Sequence, residues 1–217
     1  MSTSLALSLL VLAGLLLLLR FGRRLLLRVA ARALGRAVGK AGLDRTPATL
    51  TLEPGGEAAL AADAKAVRWT QELRAEGFVD AGAHTAHEMP GVALRLLTHP
   101  AEGFLGVVYV HPRAGSWCDV VVRAEDGSTT TCVNRAPTGL NPRPGHPRVN
   151  RPGASAHELV QAARESLAPA LRRPYAPDTA ARDIMDAYAQ ELAWRRGRGV
   201  SAEEVARVAA ARGTRRR

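Results

Sequence analysis

Aromatic side chains are scarce, at 4% of the 217 residues, and cysteine occurs only twice. Two cysteines exclude a disulfide-stapled scaffold and a cysteine-rich zinc site, which needs closely spaced thiolate pairs. A Walker-type phosphate loop is missing, as are a Gly-x-Ser-x-Gly nucleophile elbow and a glycine fingerprint running from a strand into a helix. The chain therefore lacks the signatures of phosphoryl transfer, serine hydrolysis and dinucleotide chemistry. With so few aromatics the core must be aliphatic. Its large anchors are Trp69, Phe78, Phe104, Tyr109, Trp117, Tyr188 and Trp194.

Acidic residues are scarce at the two ends of the chain and not in its middle. Residues 1–47 hold eight Lys or Arg against one acid, and residues 195–217 hold eight Arg against two, whereas residues 48–194 hold 17 acids against 14 bases. The net charge of +10 thus sits at the termini. A nucleic-acid reader concentrates basic charge on its folded face. Charge at the ends argues against a nucleic-acid partner and fits an anionic membrane surface, with a protein partner as a further expectation.

Charge is absent altogether from Ser2 to Leu19, and Leu5–Leu19 is almost wholly apolar. A spanning helix needs about 20 such residues and about 17 can suffice. A cleaved signal peptide would want a basic segment before the run and a small-residue cleavage site after it, and neither is present. Residues 1–24 read as a transmembrane anchor, and residues 25–56 as a basic juxtamembrane helix and linker. Arg20, Arg23, Arg24, Arg28 and Arg32, continued by Arg36 and Lys40, flank only the C-terminal side. The positive-inside rule then places the remainder in the cytoplasm, as a single-pass protein of the inner membrane. The first five arginines are lipid-headgroup candidates, each worth about 1 kcal/mol beside anionic lipid. Gly35, Gly39 and Gly42 would weaken the far end of this helix.

Residues 57–212 read as one α+β domain, followed by a basic tail at 213–217. Glu57–Glu76 has a helical period and stops at Gly77. Strand patterns follow at 92–98, 104–110, 117–124 and 129–134, with a further short one at 82–87. Short connections favour antiparallel neighbours, giving an antiparallel sheet of four or five strands flanked by helices. Capping boxes at Ser155–Glu158 and Ser201–Glu204 open later helices, and Ile184, Tyr188 and Leu192 recur four apart within another at 178–196. Asp126-Gly127 between two strand patterns signals a hairpin. A two-residue turn would pair Asp119 with Asn134 and point Cys118 and Cys132 to opposite faces, whereas a three-residue turn would reverse the parity.

Six histidines invite a metal reading, but His84 and His87 lie three apart on a strand pattern and so point to opposite faces. No metal or cofactor is expected. The least ordinary cluster is Tyr109, Trp117, Asp119, Cys132 and Asn134, which converge on one face if strands 104–110, 116–124 and 128–134 are neighbours, with Glu88 and His111 nearby; Tyr109, His111, Trp117, Asp119 and Asn134 are the ligand-binding candidates. A buried aspartate is costly unless hydrogen-bonded. This cluster either packs under a helix or forms a ligand pocket. The acid-free loop at 135–153 carries five prolines and four arginines; Arg143, His146, Arg148 and Arg151 either take an anion or belong to a segment laid across the sheet.

Along Glu88-Met89-Pro90-Gly91, Val107-Val108-Tyr109-Val110-His111-Pro112, Ala114-Gly115-Ser116-Trp117-Cys118-Asp119 and Asp126-Gly127 the chain resembles a group of uncharacterised bacterial membrane-anchored proteins. The resemblance implies a real domain and brings no activity with it. Binding is favoured over catalysis: a membrane-anchored cytoplasmic binding or scaffold module. The rival is a membrane-bound hydrolase or transferase using Asp119, His111 and Glu88.

Overall fold

The computed structural model of the chain describes residue 35 and residues 37–214. A helical segment at 37–44 leads to β1 (Leu52–Pro54), α1 (Glu57–Ala62) and α2 (Ala64–Ala75). Five strands follow: β2 (Val79–Ala86), β3 (Ala93–His99), β4 (Phe104–His111), β5 (Gly115–Arg123) and β6 (Thr129–Val133). After β7 (Arg148–Asn150) come α3 (Ala156–Ser166), a 3-10 turn at Pro169–Leu171, α4 (Ala180–Arg198) and α5 (Ala202–Thr214). The strands form one seven-stranded sheet in chain order, antiparallel from β1 to β6 and parallel between β6 and β7.

The expected sheet of four or five antiparallel strands is corrected to a mixed sheet of seven. The two added strands are three residues long and lie in Pro/Gly-punctuated stretches where no alternation can show. Backbone bonds fix the last one: Thr131 donates to the Pro147 carbonyl and Arg151 to that of Val133. The expected helix over 57–76 is two helices. Asp63 breaks it, with an extended backbone and a side chain that accepts from the Ala66 N–H at 2.9 Å to cap α2.

The membrane reading is corrected as well. Its apolar run and its candidates Arg20, Arg23, Arg24, Arg28 and Arg32 lie outside the described residues. Among the described residues no helix is long and apolar enough to cross a membrane. The longest, α4, has 19 residues and carries Arg182, Asp183, Asp186, Glu191 and three further arginines near its end. A single-pass topology, an inner-membrane location and a cytoplasmic domain therefore have no support in the fold.

Strand alternation sorts the core into two layers. On one face Leu97, Phe104, Val108, Cys118, Val120 and Cys132 pack under α2 and α3. Gly106 lies on this face, where an added Cβ would sit 3.0 Å from Leu73 and 3.2 Å from Phe78; the missing side chain lets α2 close on the sheet. Leu73, Phe104 and Leu159 are completely buried here, each worth about 1.5–3 kcal/mol. On the opposite face Leu94, Leu96, Leu105, Val107 and Tyr109 meet Tyr175 and α4.

The 136–147 segment crosses this second face and is fastened by α5. Glu204, fully buried, accepts from the Asn141 N–H at 2.9 Å and pairs with Arg198 at 2.8 Å. It also completes a reciprocal cap with Ser201. The 37–44 segment reaches the same region, for a Cβ on Gly39 would lie 2.9 Å from Val200.

Hydrogen bonds from Arg198 and two backbone N–H groups overcome burial and hold the Glu204 carboxyl down at about 2. A depressed carboxylate stabilises fully above its unfolded value near 4.5 and loses that contribution as pH falls towards 2. Glu204→Gln is expected to cost about 1–3 kcal/mol at neutral pH. Urea unfolding should show this difference constant above pH 5 and shrinking as pH drops to 3; a difference independent of pH would contradict the assignment.

Candidate functional site

The β5–β6 hairpin decides what the second face presents. Ala124 donates to Ser128 O and Gly127 to Ala124 O, leaving Glu125, Asp126 and Gly127 as a three-residue turn with Gly127 at φ +82°. Arg123 therefore pairs with Thr129, Val121 with Thr131 and Asp119 with Val133. The Asp119–Asn134 pairing expected from a two-residue turn is corrected by one residue, which flips the parity of β6. Both cysteines now share the α2–α3 face, as free buried thiols. Asn134 turns to that face too, accepting from the Cys118 N–H at 2.9 Å and donating to Ala154 O at 3.3 Å.

Tyr109 and Trp117 form a direct cross-strand pair with rings stacked 4.5 Å apart and 13° from parallel. From the β6 side the Arg135 guanidinium lies 4.2 Å from the Trp117 ring. Asp119 is two pairs further along and next on the same face, between Val107 and Val133. It is 92% buried, because its relative exposure is 8%. Its carboxyl takes a side-chain hydrogen bond from Trp117, yet Oδ1 has no partner. Burial pushes this carboxyl up to about 7, against the opposing pull of Arg148 and Arg135. Burial, with the Asp119 charge adding to it, also drives the Tyr109 phenol well above its ordinary range.

These side chains line a cavity of about 360 Å³ between the sheet, α4 and the 136–147 segment. Its floor and walls are apolar, from Leu94, Leu105, Val121, Ile184 and Tyr188. Arg143, His146 and Arg148 line it from the loop and β7 side. The Thr129 hydroxyl lies 2.8 Å from His146 Nδ1, and Arg143 reaches across to Gln190 of α4 at 3.3 Å. Burial, then the nearby Arg143, lowers the His146 pKa. Below the cavity, Arg123 pairs with Asp183 at 3.0 Å and lies 4.1 Å from the Tyr175 ring, which ties α4 to the sheet.

Of the residues singled out from the sequence, Tyr109, His111, Trp117 and Asp119 line this cavity and Asn134 does not. His111 stands at its end, with Nδ1 accepting from the Arg113 and Ala114 N–H groups at 3.0 and 3.1 Å. Glu88 is elsewhere. It accepts from the Thr51 N–H and hydroxyl, both at 2.7 Å, and these bonds hold it at about 2. It therefore clamps the segment before β1. Arg143, His146 and Arg148 reach the cavity, whereas Arg151 lies in a separate groove beside α3. Sequence reasoning missed Asp183 and Glu191 of α4; the four-residue spacing of Ile184 and Tyr188 was the signal that this helix turns one side inward. Among the described residues no three His, Cys, Asp or Glu side chains gather as metal ligands.

No protein-family model, curated protein or solved structure matches the chain.

A carboxyl raised by burial binds protons more tightly in the folded state, so stability falls as pH rises from about 4 to about 7 and is level beyond. Asp119→Asn removes that ionisation. Denaturant unfolding should show the variant gaining on the parent protein across this window, by on the order of 2–4 kcal/mol at pH 8 relative to pH 4. Parallel pH profiles would mean that Asp119 ionises as an ordinary exposed carboxylate.

Proposed function

We propose that this chain is a binding module for a small ligand with an apolar body, held in the cavity beneath α4 and the 136–147 segment. One observation carries the reading: Asp119, 92% buried, lines an apolar cavity of about 360 Å³, and its Oδ1 has no hydrogen-bond partner within the protein. Native proteins rarely leave such a group unsatisfied, and exceptions call for an explanation. A ligand hydroxyl or N–H that reaches Oδ1 as its neighbouring side chains shift would provide one. The volume falls within the range of about 300–1,000 Å³ usual for small-molecule sites.

The geometry supports binding more than hydrolysis or group transfer by Asp119, His111 and Glu88. Asp119 pairs with Val107, and His111 is four residues further along the same strand as Val107. That is about 13 Å at strand rise, and the Tyr109–Trp117 stack stands between them. Glu88 is absent from the cavity lining and is engaged by Thr51. A scaffold role would not need a partly open cavity with a free buried carboxyl.

N-Phenyl-1-naphthylamine, an apolar fluorophore with a single N–H donor, is a suitable probe. It should bind the full chain saturably, one to one, with enhanced emission. Ala187→Trp, at the α4 wall of the cavity, should weaken binding about tenfold or more, equivalent to about 1.4 kcal/mol, while leaving the melting temperature within a few degrees. Equal binding by the variant would move the probe, and the proposed site, away from this cavity.

A further inference from the structure

We infer that the mouth of this cavity takes the anionic head of its ligand, so that the ligand is a small amphipathic acid with an apolar body. The inference rests on the binding reading above and concerns the charge that the site recognises.

Three carboxylates line the cavity: Asp119, Asp183 and Glu191. Two are already matched. Asp183 pairs with Arg123 at 3.0 Å, and Glu191 pairs with Arg195 at 2.5 Å. Two lining arginines are in no ion pair, although the Arg148 charge acts on Asp119. Arg143 touches only uncharged acceptors, the Gln190 side-chain oxygen and His146 Nδ1, each at 3.3 Å. Its Nε is buried and has no partner. Arg148, paired through its backbone with Thr131 of β6, is in no ion pair among the described residues.

Arginines elsewhere that are likewise removed from solvent are paired with acids: Arg95 with Asp80 and Glu57, Arg123 with Asp183, and Arg164 and Arg172 with Glu102. Arg143, half-buried at the cavity without an acidic partner, differs from them. The half-buried Arg143 and the more exposed Arg148 bring positive charge to the side of an apolar chamber. A planar guanidinium presents its N–H donors in a fixed fork suited to a carboxylate, sulfonate or phosphate oxygen. Arg143 is also held in place before any ligand arrives. Its bond to Gln190 spans from the loop to α4, and the loop is pinned through Asn141 to Glu204, Arg207 and Arg195.

Two fluorophores that differ by one group test this. 8-Anilinonaphthalene-1-sulfonate is N-phenyl-1-naphthylamine with a sulfonate added, so body and N–H donor are shared. Both are titrated into the full chain, the Arg143→Gln/Arg148→Gln double variant and the Arg151→Gln variant. Arg151 lies on the same loop outside the cavity and controls for long-range charge. The sulfonate should bind the parent protein about tenfold more tightly than the neutral probe. In the double variant the ratio of the two affinities should fall to about one, whatever the neutral probe's own affinity there, and its thermal unfolding reports that the fold is intact. Arg151→Gln should retain the advantage. Equal affinity for the two probes, or a sulfonate advantage that survives in the double variant or vanishes in Arg151→Gln, would overturn the inference and leave the binding reading standing. Failure of both probes to bind the parent protein would overturn both.

Discussion

The parity of the β5–β6 hairpin decides what chemistry each face of this protein receives. Its three-residue turn, closed by a left-handed Gly127, sets Arg123 against Thr129 and carries that register back to Asp119 and Val133. Side chains alternate with period two, so a slip of one residue would exchange the faces. Thr130, Cys132 and Asn134 would then face α4 and the loop, and the bonds that Asn134 makes to Cys118 and Ala154 would be lost. In the observed register the small apolar Cys118, Val120 and Cys132 sit under α2 and α3, where packing is tight enough to require Gly106. The Trp117, Asp119 and Val121 side chains go to the other layer, which is covered less completely.

That second cover has a different character. The first layer is closed by helices, whereas the second is closed by α4 together with a proline-rich segment that has little regular structure of its own. The segment stays in place because charged side chains hold it: Glu204 and Arg207 at Asn141, and Arg143 at Gln190. A cover fastened at points and not packed along its length leaves a chamber. Asp119 is the one carboxylate among the described residues with a buried oxygen left unpartnered. Asp183 and Glu204, by contrast, each face an arginine. A shift of some three units costs on the order of 4 kcal/mol when the carboxyl ionises. A fold keeps such a cost when the group serves something outside stability.

Much of this was legible in the residues and some was not, for physical reasons. Strands β3 to β6 announce themselves because each is long enough to alternate, and their short links leave antiparallel neighbours as the natural arrangement. Ser155–Glu158 and Ser201–Glu204 open their helices through local bonds that a sequence displays directly. The turn length was not legible, since Asp126-Gly127 suits both a two-residue and a three-residue hairpin, and only the partner strand chooses. Strands β1 and β7 are three residues long and owe their conformation to the sheet edge they join. Asp63 looks like any polar residue on a helix surface until the change of chain direction makes it a cap. The glycines at 35 and 39 read as helix weakeners, and their use is close approach to Ala202 and Val200. Tyr109, Trp117 and Asp119 could be brought to one face from spacing alone. Asn134 could not be placed, because its position depended on the turn.

The central claim is that Asp119 is a buried carboxyl beside a chamber, with one of its oxygens unpartnered within the protein. Its own titration tests this most directly, by following the side-chain carboxyl carbon of Asp119 by 13C NMR in the full chain, assigned with Asp119→Asn. The structure predicts a single transition with its midpoint near 7. A midpoint at or below the ordinary aspartate value of about 4 would mean that the carboxylate is solvated or already paired, and the account of this cavity as a binding site would fail.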